Sequence, residues 1–232
     1  MFKKLTPASV PHEQQRAGRR RPSRFEDQYA ALLQQILANE RDNEATSCIV
    51  GMTSCTRRSG VSTLATNLAL HAAEVLDHQV LLVDANVEHP SMQKTFGVEE
   101  SPGVVEALSG QALVLDCIRP SQIENLSLLT AGIRNAPLRG IYEPDMLSTF
   151  FSVIRDAFAF VVVDLAAVHE LRHCHALASW LDGVVLVVEA ERVKAEESQW
   201  AAQRLQQAGV NLLGAVFNKR RHHVPGWLYR TL

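Results

Sequence analysis

Short apolar runs alternate with stretches of helical periodicity along most of this 232-residue chain. The runs have strand length and are rich in β-branched residues, which is typical of strands buried on both faces of a parallel sheet. They lie at 47–54, 79–84, 126–131, 159–164, 184–190 and 212–218. The helical patterns lie at 25–40, 63–75, 101–110, 146–157, 170–180 and 194–207. This alternation predicts βαβ units, and therefore a three-layer α/β fold with a mostly parallel central sheet and helices on both faces.

Charge divides the chain into a basic head and an acidic remainder. Residues 1–24 hold seven of the 23 Lys and Arg residues but only one of the 25 acidic residues. Basic, proline-containing segments of this kind are typical of disordered, solvated tails, and they can also tether a protein to anionic lipid. We therefore predict a disordered tail at 1–24, a folded domain at 25–218 and a basic, aromatic tail at 219–232. Because the folded part is acidic, the sequence argues against nucleic-acid binding.

The sequence favours a cytoplasmic location. No apolar segment near the start fits a secretory signal, and no apolar run approaches the length of about 18 residues that a membrane helix needs. The four cysteines are scattered without a C-x-x-C pair, so their spacing indicates neither a disulfide framework nor a four-cysteine zinc site.

A glycine-containing loop, CTRRSG, joins the first predicted strand to a helix. Backbone N–H groups at a helix N-terminus bind phosphate, and phosphate loops usually add a lysine for the phosphates and a hydroxyl for Mg²⁺. Gly60, Ser62 and Thr63 occupy the positions of the glycine and the hydroxyls, whereas Val61 occupies that of the lysine. Taken alone, this pattern also fits an ordinary strand–turn–helix connection.

Two further strands end in an aspartate. Asp84 closes the run VLLVD, and Asp164 closes the run FVVVD. A carboxylate just past a buried parallel strand is costly to leave unpaired, and in such places it often holds Mg²⁺ or orients water. Because ligands of parallel sheets bind at the carboxyl ends of the strands, the two aspartates and the glycine-containing loop together favour nucleotide chemistry.

The order of several longer segments points to one family. The segments are VLLVDANVEHPSMQKTFGV, SPGVVEALSG, LSLLTAG, WLDGVVLVVEAERV and QAGVNLLGAVFNKR. From about Phe25 to Leu232 the chain resembles the cytoplasmic kinase domain of bacterial tyrosine kinases, and more distantly the MinD/ParA-type ATPases. The resemblance implies the fold of P-loop NTPases.

The resemblance also implies a site and partners. ATP or ADP with Mg²⁺ would be the cofactor, with the phosphates at Gly60, Ser62 and Thr63 and the base at Asn218. Ser62, Asp84 and Asp164 would hold Mg²⁺, with both aspartates as catalytic residues, and Tyr229 would be the candidate phospho-acceptor. The family works in exopolysaccharide or capsule synthesis and export, at the inner face of the cell membrane. The implied partner is the cytoplasmic end of a transmembrane polysaccharide chain-length regulator, and a homo-oligomer and the membrane surface stay open as further partners.

This chain departs from the family pattern at functional positions. Val61 replaces the loop lysine, Arg58 replaces a glycine that permits positive φ, and Asn86 replaces a second aspartate. In the N-terminal helix, Ala30 and Leu33 stand where the family has two arginines used in ring assembly. Because phosphoryl transfer depends on neutralising phosphate charge, we hypothesise a pseudokinase with impaired catalysis.

Two other functions stay open at this stage. The chain could be an active ATP-dependent tyrosine autokinase in which Arg57 or Arg58 supplies the missing positive charge, or a MinD/ParA-like positioning ATPase at the membrane. The sequence HELRH at 169–173 matches the H-E-x-x-H zinc motif, in which a helix presents both histidines on one face. We interpret it as surface histidines, because no third ligand follows at the expected spacing.

Overall fold

The computed structural model describes residues 24–40, 47–133, 143–170 and 174–220. Within these ranges the strands are β1 Cys48–Ser54, β2 Val80–Asp84, β3 Arg119–Pro120, β4 Leu126–Leu129, β5 Phe160–Asp164, β6 Gly183–Glu189 and β7 Leu212–Asn218. The α-helices of the same ranges are α1 Arg24–Glu40, α2 Val61–Val75, α3 Met92–Phe96, α4 Val104–Leu108, α5 Val114–Cys117, α6 Pro144–Ala157, α7 Cys174–Ala178 and α8 Ala195–Gln207. A 3₁₀ helix spans Val168–Glu170.

The strands form one sheet in the order β3-β4-β2-β5-β1-β6-β7. Every neighbouring pair is parallel except β3 with β4. The predicted mostly parallel α/β fold is therefore confirmed. In the register of the sheet Asp164 stands beside both Asp84 of β2 and Met52 of β1. The loops that follow β1, β2 and β5 consequently meet at one edge of the sheet, where the sequence predicted the site.

Both faces of the sheet are buried at β1, β2, β5 and β6, as the continuous apolar runs predicted. The edge strand β7 was predicted from the same kind of run, but its residues are exposed or half-buried because no further strand covers its outer edge. Successive residues of a strand point to opposite faces, so that Ile49 packs into one apolar cluster while Val50 packs into the other. Helices α1 and α2 cover the second cluster. The inward face of α2 carries the small residues Ala65, Ala69 and Ala72, each fully buried, which let the helix lie close to the sheet.

The helices differ from the predictions where the elements are short. The predicted helix at 170–180 is a 3₁₀ helix ending at Glu170 and the short helix α7, with residues 171–173 outside the described part. Helix α6 begins at Pro144, because proline suits a first turn in which its missing N–H has no partner to lose. Among the described residues, no helix is both long enough and apolar enough to cross a membrane.

Candidate functional site

The loop between β1 and α2 has a backbone shape that usually requires glycine. Arg58 has a φ of +64° and Gly60 has a φ of +91°, so both residues are left-handed. The resembled family has glycine at the position of Arg58. For a residue with a side chain, this backbone conformation costs about 1 kcal/mol. Within the loop, the hydroxyls of Ser54 and Ser59 each donate to the Thr56 carbonyl oxygen at 2.8 Å. The loop therefore keeps its turn although one glycine is missing.

The end of β7 fixes this loop from the side. The side-chain amide of Asn218 donates to the Ser59 carbonyl oxygen at 2.9 Å, and a Cβ atom at Gly60 would stand 2.3 Å from the same amide nitrogen. The Asn218 carbonyl oxygen accepts the N–H of Lys219 at 2.8 Å. Glycine at position 60 is thus required twice, by its φ and by the close approach of Asn218.

Two cationic side chains, those of Arg57 and Lys219, make contacts at this loop. Arg57 forms an ion pair through its Nε with Oε1 of Glu170, which lies in the 3₁₀ helix after β5. Lys219 donates from its Nζ to the Arg58 carbonyl oxygen. At the lysine position itself, Val61 is 8% exposed and packs into an apolar core cluster. The cations of this site therefore come from the loop itself and from the end of β7, and not from the start of α2.

Asp84 and Asp164 are both buried, but their surroundings differ. Asp84 accepts three backbone N–H groups, from Asn86 at 3.2 Å, Ser91 at 2.9 Å and Met92 at 3.0 Å, and so anchors the start of α3. Oδ1 of Asp164 has no hydrogen-bond partner among the described residues. Asp84 therefore holds the start of α3 in place, whereas Asp164 has a buried oxygen without a partner among the described residues.

Burial dominates the protonation of this pair. Burial first, and then the negative charge of Asp84, raise the pKa of Asp164 to about 8 against the lowering effect of a hydrogen bond from Ser62. Burial also raises the pKa of Asp84, against the lowering effect of the N–H groups of Met92, Ser91 and Asn86. Two carboxyls this close do not both ionise readily, so at neutral pH the proton resides on Asp164, which has fewer donors.

These residues fit a magnesium–nucleotide complex in part. Mg²⁺ prefers oxygen ligands, and the unpartnered Oδ1 of Asp164 together with the hydroxyl of Ser62 offers two of them. Asp84 would add negative charge, while both of its oxygens keep their N–H donors. Such an ion would supply charge neutralisation at the phosphates. Gly60, Ser62 and Thr63 would then present the start of α2 to the phosphate groups.

A cavity of about 560 Å³ lies over the loop and holds part of the predicted site. Gly60, Ser62 and Thr63 line it together with Asn86 and His89, which follow β2. Asp84 and Asp164 are buried and do not line the cavity, and Asn218 contacts the loop from β7. Tyr229 lies outside the described residues.

The H-E-x-x-H sequence is split by the structure. His169 lies in the 3₁₀ helix, where its Nδ1 is 3.2 Å from the Cys55 carbonyl oxygen. Glu170 forms an ion pair with Arg57. His173 lies outside the described residues. The motif predicts an α-helix from His169 onward, but His169 and Glu170 lie in a 3₁₀ helix. Within the described ranges, no group of three potential metal ligands occurs.

Sequence reasoning missed Lys219 and Glu170 as parts of this site. Glu170 was assigned to the zinc-like motif, and Lys219 to the C-terminal tail, yet both line the cavity. The available signal was position: Lys219 follows the last predicted strand directly, and Glu170 follows the Asp164 strand, and residues after parallel strands gather at one edge.

Sequence relatives confirm the predicted resemblance to bacterial tyrosine kinases. The chain is 26% identical over 201 residues to the tyrosine-protein kinase CpsD of Streptococcus agalactiae, which covers 86% of each protein. It is 26% identical over 196 residues to the tyrosine-protein kinase YwqD of Bacillus subtilis, covering 84% of this chain and 81% of the relative. No protein-family model matches the chain.

Solved structures confirm the P-loop NTPase fold. The chimeric protein CapA2B2 superposes with a TM-score of 0.77 at 22% identity, over 86% of this chain and 87% of the other. The kinase domain of the Escherichia coli tyrosine kinase ETK gives a TM-score of 0.76 at 23% identity, over 87% and 79%. MinD of Pyrococcus horikoshii, solved with Mg-ADP, gives 0.63 at 21% identity, over 80% and 76%.

Proposed function

We propose that this protein is a cytoplasmic, tyrosine-kinase-like P-loop regulator of exopolysaccharide or capsule synthesis or export, with impaired catalysis. In this proposal the site binds ATP or ADP with Mg²⁺ but transfers phosphate poorly. The observation that carries it is Val61, an apolar residue buried in the core at the first position of α2. No ammonium can rise from the helix start beside the phosphates, and cations there contribute powers of ten to the rate.

Two further observations support weak catalysis with retained binding. The Arg58 backbone keeps the left-handed shape of a phosphate loop, so N–H groups at the start of α2 remain available. Asp84, by contrast, already accepts three backbone N–H groups, one at Oδ1 from Asn86 and two at Oδ2 from the start of α3. The groups that hold a nucleotide are thus better preserved than those that would drive the transfer.

The proposed partner is the cytoplasmic end of a transmembrane polysaccharide chain-length regulator, which would place the protein at the inner face of the cell membrane. This part rests on the resemblance to bacterial tyrosine kinases. A pull-down with that cytoplasmic segment, with and without ATP, tests it. We expect association in both conditions, since the regulatory role would not need turnover; loss of association in both would remove the partner from the proposal.

Calorimetric titration of ATP and ADP with Mg²⁺ into the purified chain tests the nucleotide site. We expect binding in the micromolar range that weakens in Ser62→Ala, because this change removes a hydroxyl from the cavity and from Asp164. Ser198→Ala, whose hydroxyl lies on helix α8 and donates to Ala195, is the matched control. Absence of binding at millimolar nucleotide would contradict the proposal.

A phosphotyrosine assay with ATP and an activating partner peptide separates the pseudokinase from an active kinase. We expect no phosphotyrosine above background from a chain that binds ATP. Robust phosphotyrosine, lost in Tyr229→Phe, would favour the active autokinase instead and would identify the acceptor.

A further inference from the structure

Lys219 brings an ammonium group to the phosphate loop from the opposite end of the chain. Its Nζ donates to the Arg58 carbonyl oxygen and lies 3.4 Å from Oε1 of Glu189, at the end of β6. The side chain is 45% exposed and lines the cavity over the loop. An ammonium group has three donor hydrogens, so these two contacts leave one for a ligand in the cavity.

The backbone holds this lysine in place. Lys219 has a left-handed φ of +57°, and its N–H donates to the side chain of Asn218, whose amide is itself bonded to Ser59 of the loop. The ammonium is therefore positioned by the end of β7, whereas an ordinary surface lysine samples many rotamers. Its proximity to the loop is a built feature of the fold.

The charges around the cavity leave Lys219 as a weakly neutralised cation. The cavity lining carries Arg57, Arg58 and Lys219 against a single acid, Glu170, and that acid is paired with Arg57. The acid nearest to Lys219, Glu189, is bonded more closely by Arg192, at 3.0 Å. The lining thus carries a net positive charge, although Val61 contributes none.

We propose that Lys219 is the phosphate-binding cation of this site and replaces, from the last strand, the lysine that the loop lacks. The ligand class is the polyphosphate chain of a nucleoside diphosphate or triphosphate. The proposal rests on nucleotide binding at this cavity, as put forward above. Lys219 neutralises phosphate oxygens at the loop, and its contact with the Arg58 carbonyl keeps the ammonium beside them.

Binding of Mg-ADP and of adenosine to Lys219→Gln tests the proposal. We expect the change to weaken ADP binding about tenfold, since a charge-assisted hydrogen bond is lost, and to leave adenosine binding unchanged. Lys219→Arg should restore most of the ADP affinity. Lys94→Gln is the matched control: it removes the same charge from an exposed lysine outside the cavity lining and should change neither affinity.

Chemical acetylation provides a second readout that does not depend on the variants. ADP should slow acetylation of Lys219 in the unmodified chain, measured by mass spectrometry, and adenosine should not. Equal ADP affinity in Lys219→Gln and the unmodified chain, or parallel loss of ADP and adenosine, would overturn the role of Lys219. If the unmodified chain itself binds no ADP, both this proposal and the nucleotide site fail. That outcome is recognisable because no variant would bind ADP either.

Discussion

Asp84 and Asp164 are register partners on the adjacent parallel strands β2 and β5. Both carboxyl groups are buried, but they differ in the number of hydrogen-bond donors around them. Asp84 accepts three backbone N–H groups, while Oδ1 of Asp164 accepts none from the described residues. This inequality assigns the negative charge to Asp84 and the proton to Asp164. It also makes the stability of the domain depend on pH.

Asp164→Asn should stabilise the protein increasingly as the pH rises. The pKa of Asp164 is raised from 3.8 to about 8, so its favourable contribution is complete below about pH 4 and is lost as the pH rises through 8. Asparagine has no charge to bury, and we expect a gain of roughly 1–3 kcal/mol at pH 9 and little gain at pH 5. Urea unfolding at both pH values measures it.

Asp84→Asn is the control for this pair. It replaces an acceptor of three N–H groups by a side chain that is half donor, and should destabilise the fold at every pH. A difference between Asp164→Asn and the unmodified chain that stays constant from pH 5 to pH 9 would contradict the assignment of the proton.

Arg58→Gly should relieve the backbone strain of the loop between β1 and α2. Arg58→Ala removes the same charged side chain but keeps a Cβ atom at a φ of +64°, so the comparison of the two variants isolates the backbone. We expect the glycine variant to be the more stable by about 1 kcal/mol in chemical denaturation. Equal stabilities would mean that the left-handed conformation carries no cost here.

Gly60→Ala should cost more than an ordinary left-handed glycine. The new Cβ atom would meet the Asn218 amide nitrogen at 2.3 Å, and the φ of +91° is itself unfavourable. We expect a loss of about 2 kcal/mol or more in the free energy of unfolding. Gly97→Ala, with a φ of +63° and no atom within 4 Å of its Cβ, should lose only about 1 kcal/mol. Similar losses at both positions would argue against the Asn218 contact.

Val61→Lys should strengthen nucleotide binding and weaken the fold. A lysine at the first position of α2 would lead its ammonium into the cavity, and we expect a gain of tenfold or more in ADP affinity, which corresponds to about 1.4 kcal/mol. Removing an apolar side chain from the core should cost about 1 kcal/mol of stability. Val61→Met, similar in length and uncharged, should leave the affinity unchanged. No gain with lysine would show that the loop lysine position no longer faces the phosphates.

The sheet was predictable because its strands carry the simplest signal. A run such as VLLVD is apolar on both faces, and the structure buries all five of its residues. The two-residue strand β3 and the helix α5, of four residues, carry too few residues for any periodicity to appear. Glu170, the first residue of the helix predicted at 170–180, ends a 3₁₀ helix, and apolar spacing does not distinguish such a turn from the first turn of an α-helix.

The candidate site was predictable where a strand end or the glycine-containing loop marks it. Asp84 and Asp164 follow their strands directly, and their adjacency is a consequence of parallel pairing. The donor roles of Asn218 and Lys219 depend on loop carbonyl oxygens, and backbone atoms carry no residue type that a sequence could reveal. The charge of Lys219 was visible in the sequence, but its direction is set by a φ of +57°.

The contacts from the end of β7 to the phosphate loop span nearly the whole domain. Asn218 reaches Ser59 across 159 positions, and Lys219 reaches Arg58 across 161. During translation, therefore, the loop and both aspartates leave the ribosome long before the residues that secure the loop. A nascent chain arrested before residue 212 contains every glycine and carboxylate of the site, but it lacks Asn218 and Lys219, whose hydrogen bonds hold the loop. The contacts that secure the loop can therefore form only after β7 and Lys219 have been synthesised.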